Sequence, residues 1–298
     1  MSAVLGLGTY RVRSVEKAAR TACAAGAAWV DTAPNYQGGR AHTLLRQVIA
    51  DFPAVKVSTK TGFFTAEQGR EAVAAGVLGE EQAAVGHSLD PGFVRWQVER
   101  SMEELGRADL VFVHNPEQAD RHRPGIHTRL RGAFAVLEDL ARAGRIGGYG
   151  VATWSGLDHA VFTVRELLGL AQQAAGGRHH LVALQQPVSL VMDRPIRHAL
   201  DGRGTLVQAR AAGLLTFGSA PLHGGELLGL VTPELIDLIR PGVSAAGACL
   251  LAAASTPGLD VVLLSASTST NWAESVAALA LPLDARRLRE ITDVCATR

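Results

Sequence analysis

Four side chains that can take part in proton transfer follow apolar, strand-like runs of the sequence. Asp31 ends the run "AAWVD", and Tyr36 comes five positions later, beyond a turn at Pro34. Lys60 ends "AVKVSTK", and His114 lies near the end of "ADLVFVHN". A carboxylate, a phenol, an ammonium and an imidazole together suit the protonation of a carbonyl oxygen while a hydride reaches the carbonyl carbon.

The four residue types suggest separate roles in that reaction. A free phenol has a pKa near ~10, so Tyr36 needs a neighbouring cation to exchange its proton readily at neutral pH. Lys60 would supply that charge, and Asp31 would offset the cost of burying the ammonium. A neutral His114 would donate a hydrogen bond to the carbonyl oxygen. Taken singly, each residue also has an ordinary structural explanation, as a turn former, a solvated strand end or a packing side chain.

The runs that carry these residues belong to a regular alternation along the chain. Short β-branched runs alternate with longer segments of helical period, which is the pattern of parallel strands joined by helices. Eight such units in 298 residues predict an α/β fold, a (β/α)8 TIM barrel forming one domain over residues 1–298. Active sites of this fold lie at the C-terminal ends of the strands, where all four side chains are expected. We predict strands at 3–9, 27–33, 54–60, 108–115, 146–153, 180–186, 213–219 and 259–267.

Helix signals separate the predicted strands. In "SVEKAARTACAAG", Ser14 is placed to cap a helix and Gly26 to end it. In "DPGFVRWQVERSMEELG", Asp90 precedes a proline that suits the first helical turn. The stretch "SAAGACLLAAAS" is too short to cross a membrane and predicts a buried helix. The second helix has an apolar stripe that predicts core packing: Phe93, Val94, Val98, Met102 and Leu105.

One predicted connection is far longer than the others. About thirty residues, from Thr61 to Leu89, follow the third strand, against a usual handful in such loops. A long loop after a barrel strand lies at the C-terminal face, so it could act as a lid that closes over bound cofactor. An inert surface excursion is the alternative.

Composition limits the classes of function. Hydrophobic residues make up 47% of the chain and charged residues 19%, which predicts a large buried core. A net charge of +1 gives no overall field that would attract nucleic acid or a membrane surface. No leader or membrane span is apparent. The three cysteines, Cys23, Cys249 and Cys295, are widely separated, which suits a reducing cytoplasm. The Ala-, Arg- and Gly-rich usage suggests a bacterium.

No metal site is predicted. His179 and His180 are adjacent in the sequence, so in a strand they would face opposite sides and could not share an ion. The sequence also shows neither a metalloprotease-type histidine motif nor the nucleophile elbow of acyl-transfer enzymes.

Six short motifs make the chain resemble an aldo-keto reductase between residue 4 and about residue 281. They are "GLGTY", "DTAPNY", "VSTK", "VFVHNP", "GRIGGYGVAT" and "LQQPVSL", in the order and approximate spacing of that family. The resemblance implies a (β/α)8 barrel with a catalytic tetrad of Asp31, Tyr36, Lys60 and His114. It also implies NAD(P)H-dependent reduction of an aldehyde or ketone, or oxidation of the corresponding alcohol or lactol, without a metal.

The same resemblance implies a set of cofactor-binding residues. The family resemblance puts NADP(H) first. NAD(H) stays a close alternative, because the loop after the eighth strand has no Lys or Arg to pair with a 2′-phosphate. Ser275 stands where the family usually has an asparagine. The implied residues are Gly8, Thr9, Tyr10, Thr153, Gln185, Ser219, Leu222, His223, Ser265, Ser267, Thr268 and Glu274.

Departures from the family pattern leave other functions open. "GVAT" places Ala152 and Thr153 where a Ser-Asn pair is usual, and Ser189 stands where an asparagine is commoner. A non-redox lyase or isomerase, or a binding protein with weak nicotinamide affinity, therefore stays an alternative. An N-terminal hairpin and a long C-terminal tail, which many relatives have, are not expected. The sequence predicts no oligomeric state. Candidate walls of a substrate pocket are Tyr10, Phe63, Phe64 and Trp154, and ordinary packing is the alternative for each of them.

Overall fold

The computed structural model describes residues 3–120 and 122–296. Its parallel strands follow one another in chain order and close as a barrel, which confirms the predicted (β/α)8 fold. Every strand lies within its predicted range, except that the third and sixth strands each end one residue later, at Thr61 and Pro187. The strands are β1 (Val4–Gly8), β2 (Trp29–Asp31), β3 (Lys56–Thr61), β4 (Leu110–His114), β5 (Tyr149–Ala152), β6 (Leu181–Pro187), β7 (Leu215–Ser219) and β8 (Val261–Leu264).

Helices lie between the strands along the sequence. Short 3-10 helices lie at Tyr36–Gly39, Pro116–Gln118 and His223–Gly229. The α-helices of the described residues are α1 (Val15–Ala24), α2 (Ala41–Asp51), α3 (Ala66–Ala74), α4 (Glu80–Val85), α5 (Pro91–Leu105), α6 (Arg123–Arg142), α7 (Val164–Ala175), α8 (Arg194–Leu200), α9 (Thr205–Ala211), α10 (Pro233–Ile239), α11 (Ala245–Ala254), α12 (Ser269–Leu279) and α13 (Ala285–Ala296).

The chain divides into two compact units. The central unit comprises residues 29–183, and the terminal unit comprises residues 1–28 and 184–298. Within the central unit, β2, β3, β4 and β5 pair in parallel. Within the terminal unit, β8 pairs in parallel with β1 on one side and with β7 on the other. Helix α11 is entirely buried in the terminal unit from Gly247 to Ala254, as its apolar sequence predicts.

The predicted helix signals are largely confirmed. Helix α5 begins at Pro91, and the Asp90 carboxylate accepts a hydrogen bond from the Gly92 amide at 2.9 Å. Its whole predicted apolar stripe is buried. Ser14 occupies the N-cap position of α1, but its side chain makes no capping hydrogen bond. Gly26 follows α1 in the left-handed region at φ 81°, where a residue without Cβ is favoured.

The long connection after β3 is a folded insertion rather than a structureless loop. We call residues 62–87 the insertion; it contains α3 and α4. Two backbone hydrogen bonds join the start of the insertion to its end. The Phe64 amide donates to the Gly86 carbonyl, and the Ser88 amide donates to the Gly62 carbonyl. The insertion also has an apolar core, in which Phe64, Ala72 and Leu78 pack against Phe93 of α5. Its apolar contacts therefore hold it against the central unit.

Arg100 of α5 adds a polar attachment between the insertion and the central unit. Its guanidinium forms a bidentate pair with Glu71 of α3, at 2.5 and 3.2 Å. The same guanidinium donates to Glu104 at 2.7 Å and lies over the ring of Trp96. A planar guanidinium suits such paired contacts because its donors form a fixed fork.

A buried carboxylate joins α6 to β5 and to the start of β6. Glu138 is 0% exposed and accepts hydrogen bonds from the Tyr149 hydroxyl at 2.8 Å and the His180 amide at 2.6 Å. Its second oxygen lies 2.8 Å from Nδ1 of His180. Burial alone would raise the pKa of Glu138, but the hydrogen bonds from His180 and Tyr149 outweigh burial and lower it. The carboxylate is therefore ionised at neutral pH.

We expect Glu138→Gln to lower the free energy of unfolding at pH 7 by about 2 kcal/mol, because hydrogen bonds to a charged acceptor are lost. A carboxyl whose pKa is lower in the folded state stabilises above its unfolded pKa and loses that contribution as the pH falls. The wild-type stability should therefore decline below pH 4.5, the reference value for this group, and the variant should decline less. Urea unfolding at pH 7 and at several acidic pH values measures this. Exposed Glu99→Gln is the matched control, and an equal loss of stability in the control would contradict the expectation.

Within residues 3–120 and 122–296, every helix is too short or too polar to cross a membrane.

Candidate active site

Asp31 and Lys60 form a buried ion pair in the central unit. Asp31 pairs with Ser58 across β2 and β3, and Lys60 lies two residues beyond Ser58, so alternation puts all three side chains on one face of the sheet. Lys60 Nζ lies 2.5 Å from Oδ2 of Asp31, and the Ser58 hydroxyl donates to Oδ1 at 2.8 Å. Lys60 also donates to the Thr32 carbonyl at 2.9 Å. Both charged residues are almost fully buried, at 4% and 2% exposure.

The surroundings keep Lys60 charged. Burial by itself would lower the pKa of Lys60, but the Asp31 carboxylate and the Tyr36 phenol raise it by charge interaction and hydrogen bonding, and the net effect is a raised pKa. A buried ammonium is tolerated only when it is paired in this way. The structure therefore supplies a permanent positive charge next to Tyr36.

Tyr36 reaches Lys60 by way of a tight turn after β2. The Tyr36 amide donates to the carbonyl of Ala33 at 3.1 Å, which folds the segment through Pro34. Tyr36 then begins a short 3-10 helix, and its side chain is half-buried. Lys60 Nζ lies 5.1 Å from the ring centroid of Tyr36. The phenol and the ammonium are thus direct neighbours.

His114 completes the cluster at the end of β4. Its ring meets the ring of Tyr36 edge-on, with centroids 6.2 Å apart. Burial lowers the pKa of His114 well below its usual range, and the positive charge of Lys60 and the proximity of His87 lower it further. The imidazole is therefore neutral at neutral pH, which is the form that can donate one hydrogen bond to a carbonyl.

The four aromatic residues expected to wall a substrate pocket lie in different environments. Phe63 packs edge-on against His114, with ring centroids 4.9 Å apart, so it lies beside the cluster. Trp154 is 46% exposed and Tyr10 is 52% exposed. The expectation for Phe64 is wrong, because that ring is 6% exposed and packs in the core of the insertion, 5.0 Å from Phe93.

Comparison with known proteins identifies the family of the chain. The model of the aldo/keto reductase family matches residues 4–235. The chain belongs to the aldo/keto reductase family. This confirms the resemblance drawn from the motifs, and it confirms the expected enzyme class, an oxidoreductase. No curated protein sequence matches the chain.

Solved structures show the same fold at low sequence identity. An aldo/keto reductase from Klebsiella pneumoniae, solved with NADP and acetate, is 18% identical with a TM-score of 0.70; the match covers 98% of this chain and 90% of the other. A glycerol dehydrogenase from Gluconobacter oxydans is 17% identical with a TM-score of 0.73, over 98% and 91%. An aldose reductase from Giardia lamblia is 16% identical with a TM-score of 0.69, over 100% and 93%.

In this aldo/keto reductase, most residues with an expected cofactor role lie in the terminal unit. The loops after β1 and β8 are joined there: the Ser265 hydroxyl donates to the Gly8 carbonyl at 2.9 Å, and Ser267 Oγ accepts from the Arg13 amide at 3.3 Å. Thr268 caps α12 by accepting from the Asn271 amide at 3.1 Å. The expected contacts of these residues with a dinucleotide stay predictions.

The remaining candidates of the terminal unit are divided between buried and exposed positions. Thr9 and Gln185 are buried, at 0% and 5% exposure, whereas Glu274 is exposed and Ser219, Leu222 and His223 are half-buried. Tyr10 carries the guanidinium of Arg11 over its ring, 5.3 Å from the centroid. Ser275, which stands in place of the family's asparagine, is buried and donates its hydroxyl to the Asn271 carbonyl, so that hydroxyl is used within α12.

Thr153 of the central unit is also committed to a local contact. Its hydroxyl donates to Glu117 at 2.9 Å and accepts from the Gly156 amide at 2.9 Å. Glu117 in addition accepts from the amides of Trp154 and Ser155. The single hydroxyl proton of Thr153 is therefore engaged, and a contact with nicotinamide would use its remaining acceptor capacity.

Two residues around the cluster, Ser58 and Gln97, were not predicted from the sequence. Ser58 could have been found, since it precedes Lys60 by two positions in a strand. Gln97, by contrast, holds the entry of the insertion by accepting from the Gly62 amide at 2.8 Å and donating to the Phe63 carbonyl at 2.9 Å. That contact joins residues 34 or more positions apart, so no local pattern announces it.

Proposed function

We propose that this aldo/keto reductase reduces an aldehyde or ketone with NAD(P)H, or oxidises the corresponding alcohol or lactol. The buried Asp31–Lys60 pair beside Tyr36 is the observation that supports this most directly. The substrate is a small molecule that carries a carbonyl or alcohol group. The three cysteines, widely separated in the sequence, and the composition of the chain support a place in the bacterial cytoplasm.

The residues of the central unit divide the proton chemistry between them. Tyr36 is the general acid that protonates the carbonyl oxygen. Lys60 stabilises the phenolate that results, because an adjacent positive charge favours the anionic form. Asp31 keeps Lys60 charged and fixed. His114, neutral because of its burial, donates a hydrogen bond that orients the carbonyl. The nicotinamide supplies the hydride when the cofactor is bound.

The terminal unit has features that fit a dinucleotide. Helix α12 has no acidic residue in its first turn and is capped by the neutral Thr268, so its N-terminus favours the negative charge of a phosphate. Ser267 accepts a hydrogen bond from the Arg13 amide, which joins the loop after β1 to the segment that precedes α12. Arg13 is exposed and brings a cation to a loop that has none of its own. On this basis we place NADP(H) before NAD(H).

Fluorescence titration tests the cofactor assignment. NADPH should quench the fluorescence of the four tryptophans of the protein. NADH should bind more weakly, because it lacks the charged 2′-phosphate. Arg13→Gln should weaken NADPH binding about tenfold, the value of one charge-assisted contact of ~1.4 kcal/mol, and leave NADH binding unchanged. Lys17→Gln, which removes an exposed cation from α1, serves as the matched control. Equal losses for both cofactors in Arg13→Gln would contradict the preference.

The commitment of Thr153 to Glu117 favours a second candidate function, in which nicotinamide binds poorly and the same acid–base groups serve a lyase or isomerase reaction. The same titration separates the two functions. Quenching by neither cofactor would favour the second candidate, whereas binding together with oxidation of NADPH by a panel of aldehydes supports the reductase.

A further inference from the structure

Two side chains of the insertion donate hydrogen bonds to the backbone beside Tyr36 and His114. Gln68 Nε2 donates to the carbonyl of Pro34 at 2.9 Å, two residues before Tyr36. His87 Nε2 lies 2.9 Å from the carbonyl oxygen of His114 itself. Gln68 and His87 are both buried, at 7% exposure. The insertion therefore contacts the main chain of His114 itself and the turn two residues before Tyr36.

The contact of His87 fixes its tautomer. A carbonyl oxygen only accepts, so Nε2 of His87 must carry the hydrogen. Burial lowers the pKa of His87, against smaller opposing effects of the His114 carbonyl and Glu117, and the ring is neutral at neutral pH. Nδ1 is then an unprotonated nitrogen, and it is buried without a hydrogen-bond partner among the described residues.

The backbone leaves little room for this contact to vary. Gly62 has φ +133°, and a Cβ built on it would lie 2.9 Å from His87 Nε2 and 3.2 Å from the His114 carbonyl oxygen. Phe63 packs edge-on against the rings of both His87 and His114, with centroids 4.6 and 4.9 Å apart. Glycine is therefore required where the insertion leaves β3, so that His87 can approach the end of β4.

The side chain of Gln68 is also held in place by hydrogen bonds at both of its polar atoms. It accepts from the Thr65 amide at 2.9 Å, and its own amide donates to the Thr65 hydroxyl at 3.2 Å, which forms a capping box at the start of α3. The side-chain carboxamide uses its oxygen for this cap, and its nitrogen is directed to Pro34. One residue thus links the start of a helix to the turn that presents Tyr36.

We propose that the insertion is a positioning element for the proposed reaction, in which Gln68 holds the turn of Tyr36 and His87 holds the peptide of His114. This inference rests on the proposed function. Its physical basis is that general acid transfer depends on geometry, and a misplacement of about 1 Å can cost ~10²-fold in rate. An anchored insertion of this kind differs from the lid expected from its length.

Steady-state kinetics of His87→Leu and Gln68→Met test the inference. Each variant should lower kcat about 10- to 100-fold, with the dissociation constant of NADPH unchanged. His87→Gln should restore most of the activity, because its carboxamide can donate to the same carbonyl. Gln82→Met is the matched control: Gln82 caps α4 of the insertion in the same way, by accepting from the Gly79 amide at 2.9 Å. Among the described residues, no hydrogen bond joins its side chain to Tyr36 or His114.

The outcomes separate this inference from the proposed function. Normal kcat in both His87→Leu and Gln68→Met, in a wild type that oxidises NADPH, would overturn the inference alone. A wild type that turns over no carbonyl would overturn both. Should a variant fail to fold, NMR of wild-type protein labelled with ¹⁵N-histidine gives a second test. An Nε2–H tautomer for His87 is expected, and an Nδ1–H tautomer would overturn the inference.

Discussion

Tyr36→Phe should lower the rate of carbonyl reduction by ~10² to 10⁴-fold, the usual contribution of a positioned general acid. The change removes only the hydroxyl that donates the proton. The ring stays, and with it the edge-on contact to His114, so the fold and the binding of NADPH should be preserved. Rates measured with excess NADPH and a reactive aldehyde give kcat directly.

A matched control separates proton donation from general disturbance of tyrosine contacts. Tyr149→Phe removes a hydroxyl that donates to Glu138 and has no part in the proposed proton transfer or in the expected cofactor site. Its kcat should remain close to that of the wild type. Activity that survives Tyr36→Phe would reject the role given to Tyr36, while the family and the fold would stand.

Lys60→Met should abolish activity and also destabilise the protein by about 3–5 kcal/mol, because it leaves the buried Asp31 carboxylate without its partner. Lys60 is 2% exposed and Asp31 is 4% exposed, so water cannot readily replace the lost ion pair. Urea unfolding measures the stability, and oxidation of NADPH measures the activity.

The double variant Asp31→Asn with Lys60→Met distinguishes the two effects. It removes both charges, so it should recover much of the stability lost in Lys60→Met, and the Ser58 hydroxyl can still donate to the side-chain oxygen at position 31. Its activity should stay absent, because the phenol has lost its cation. Equal stability of the single and the double variant would show that the pair is not coupled as the geometry indicates.

The sequence predicts most of the fold because the strand signals are local. Runs such as "ADLVFVHN" are short, β-branched and regularly spaced, and each becomes a strand close to the expected bounds. The clustering of Asp31, Lys60 and His114 could also be predicted, since each stands at the C-terminal end of a strand; their catalytic roles stay predictions. The Tyr36 position follows from the turn at Pro34 and from the family motif.

The insertion could not be predicted in the same way. Its helices are short, of nine and six residues, and they depend on packing against Phe93 and on capping by Thr65 rather than on a long apolar period. The contacts of His87 and Gln68 span 27 and 34 residues. Such contacts depend on tertiary structure, so no local pattern in a single sequence predicts them.

The central claim is that the Lys60 ammonium makes the Tyr36 phenol more acidic. Ultraviolet titration of phenolate measures this directly, because the chain has only three tyrosines and the wild-type curve minus the Tyr36→Phe curve isolates one of them. Tyr149 will not interfere, since burial beside Glu138 raises its pKa. We expect the difference curve to have its midpoint below ~10, the value of free tyrosine. A midpoint at or above that value would contradict the proposed mechanism.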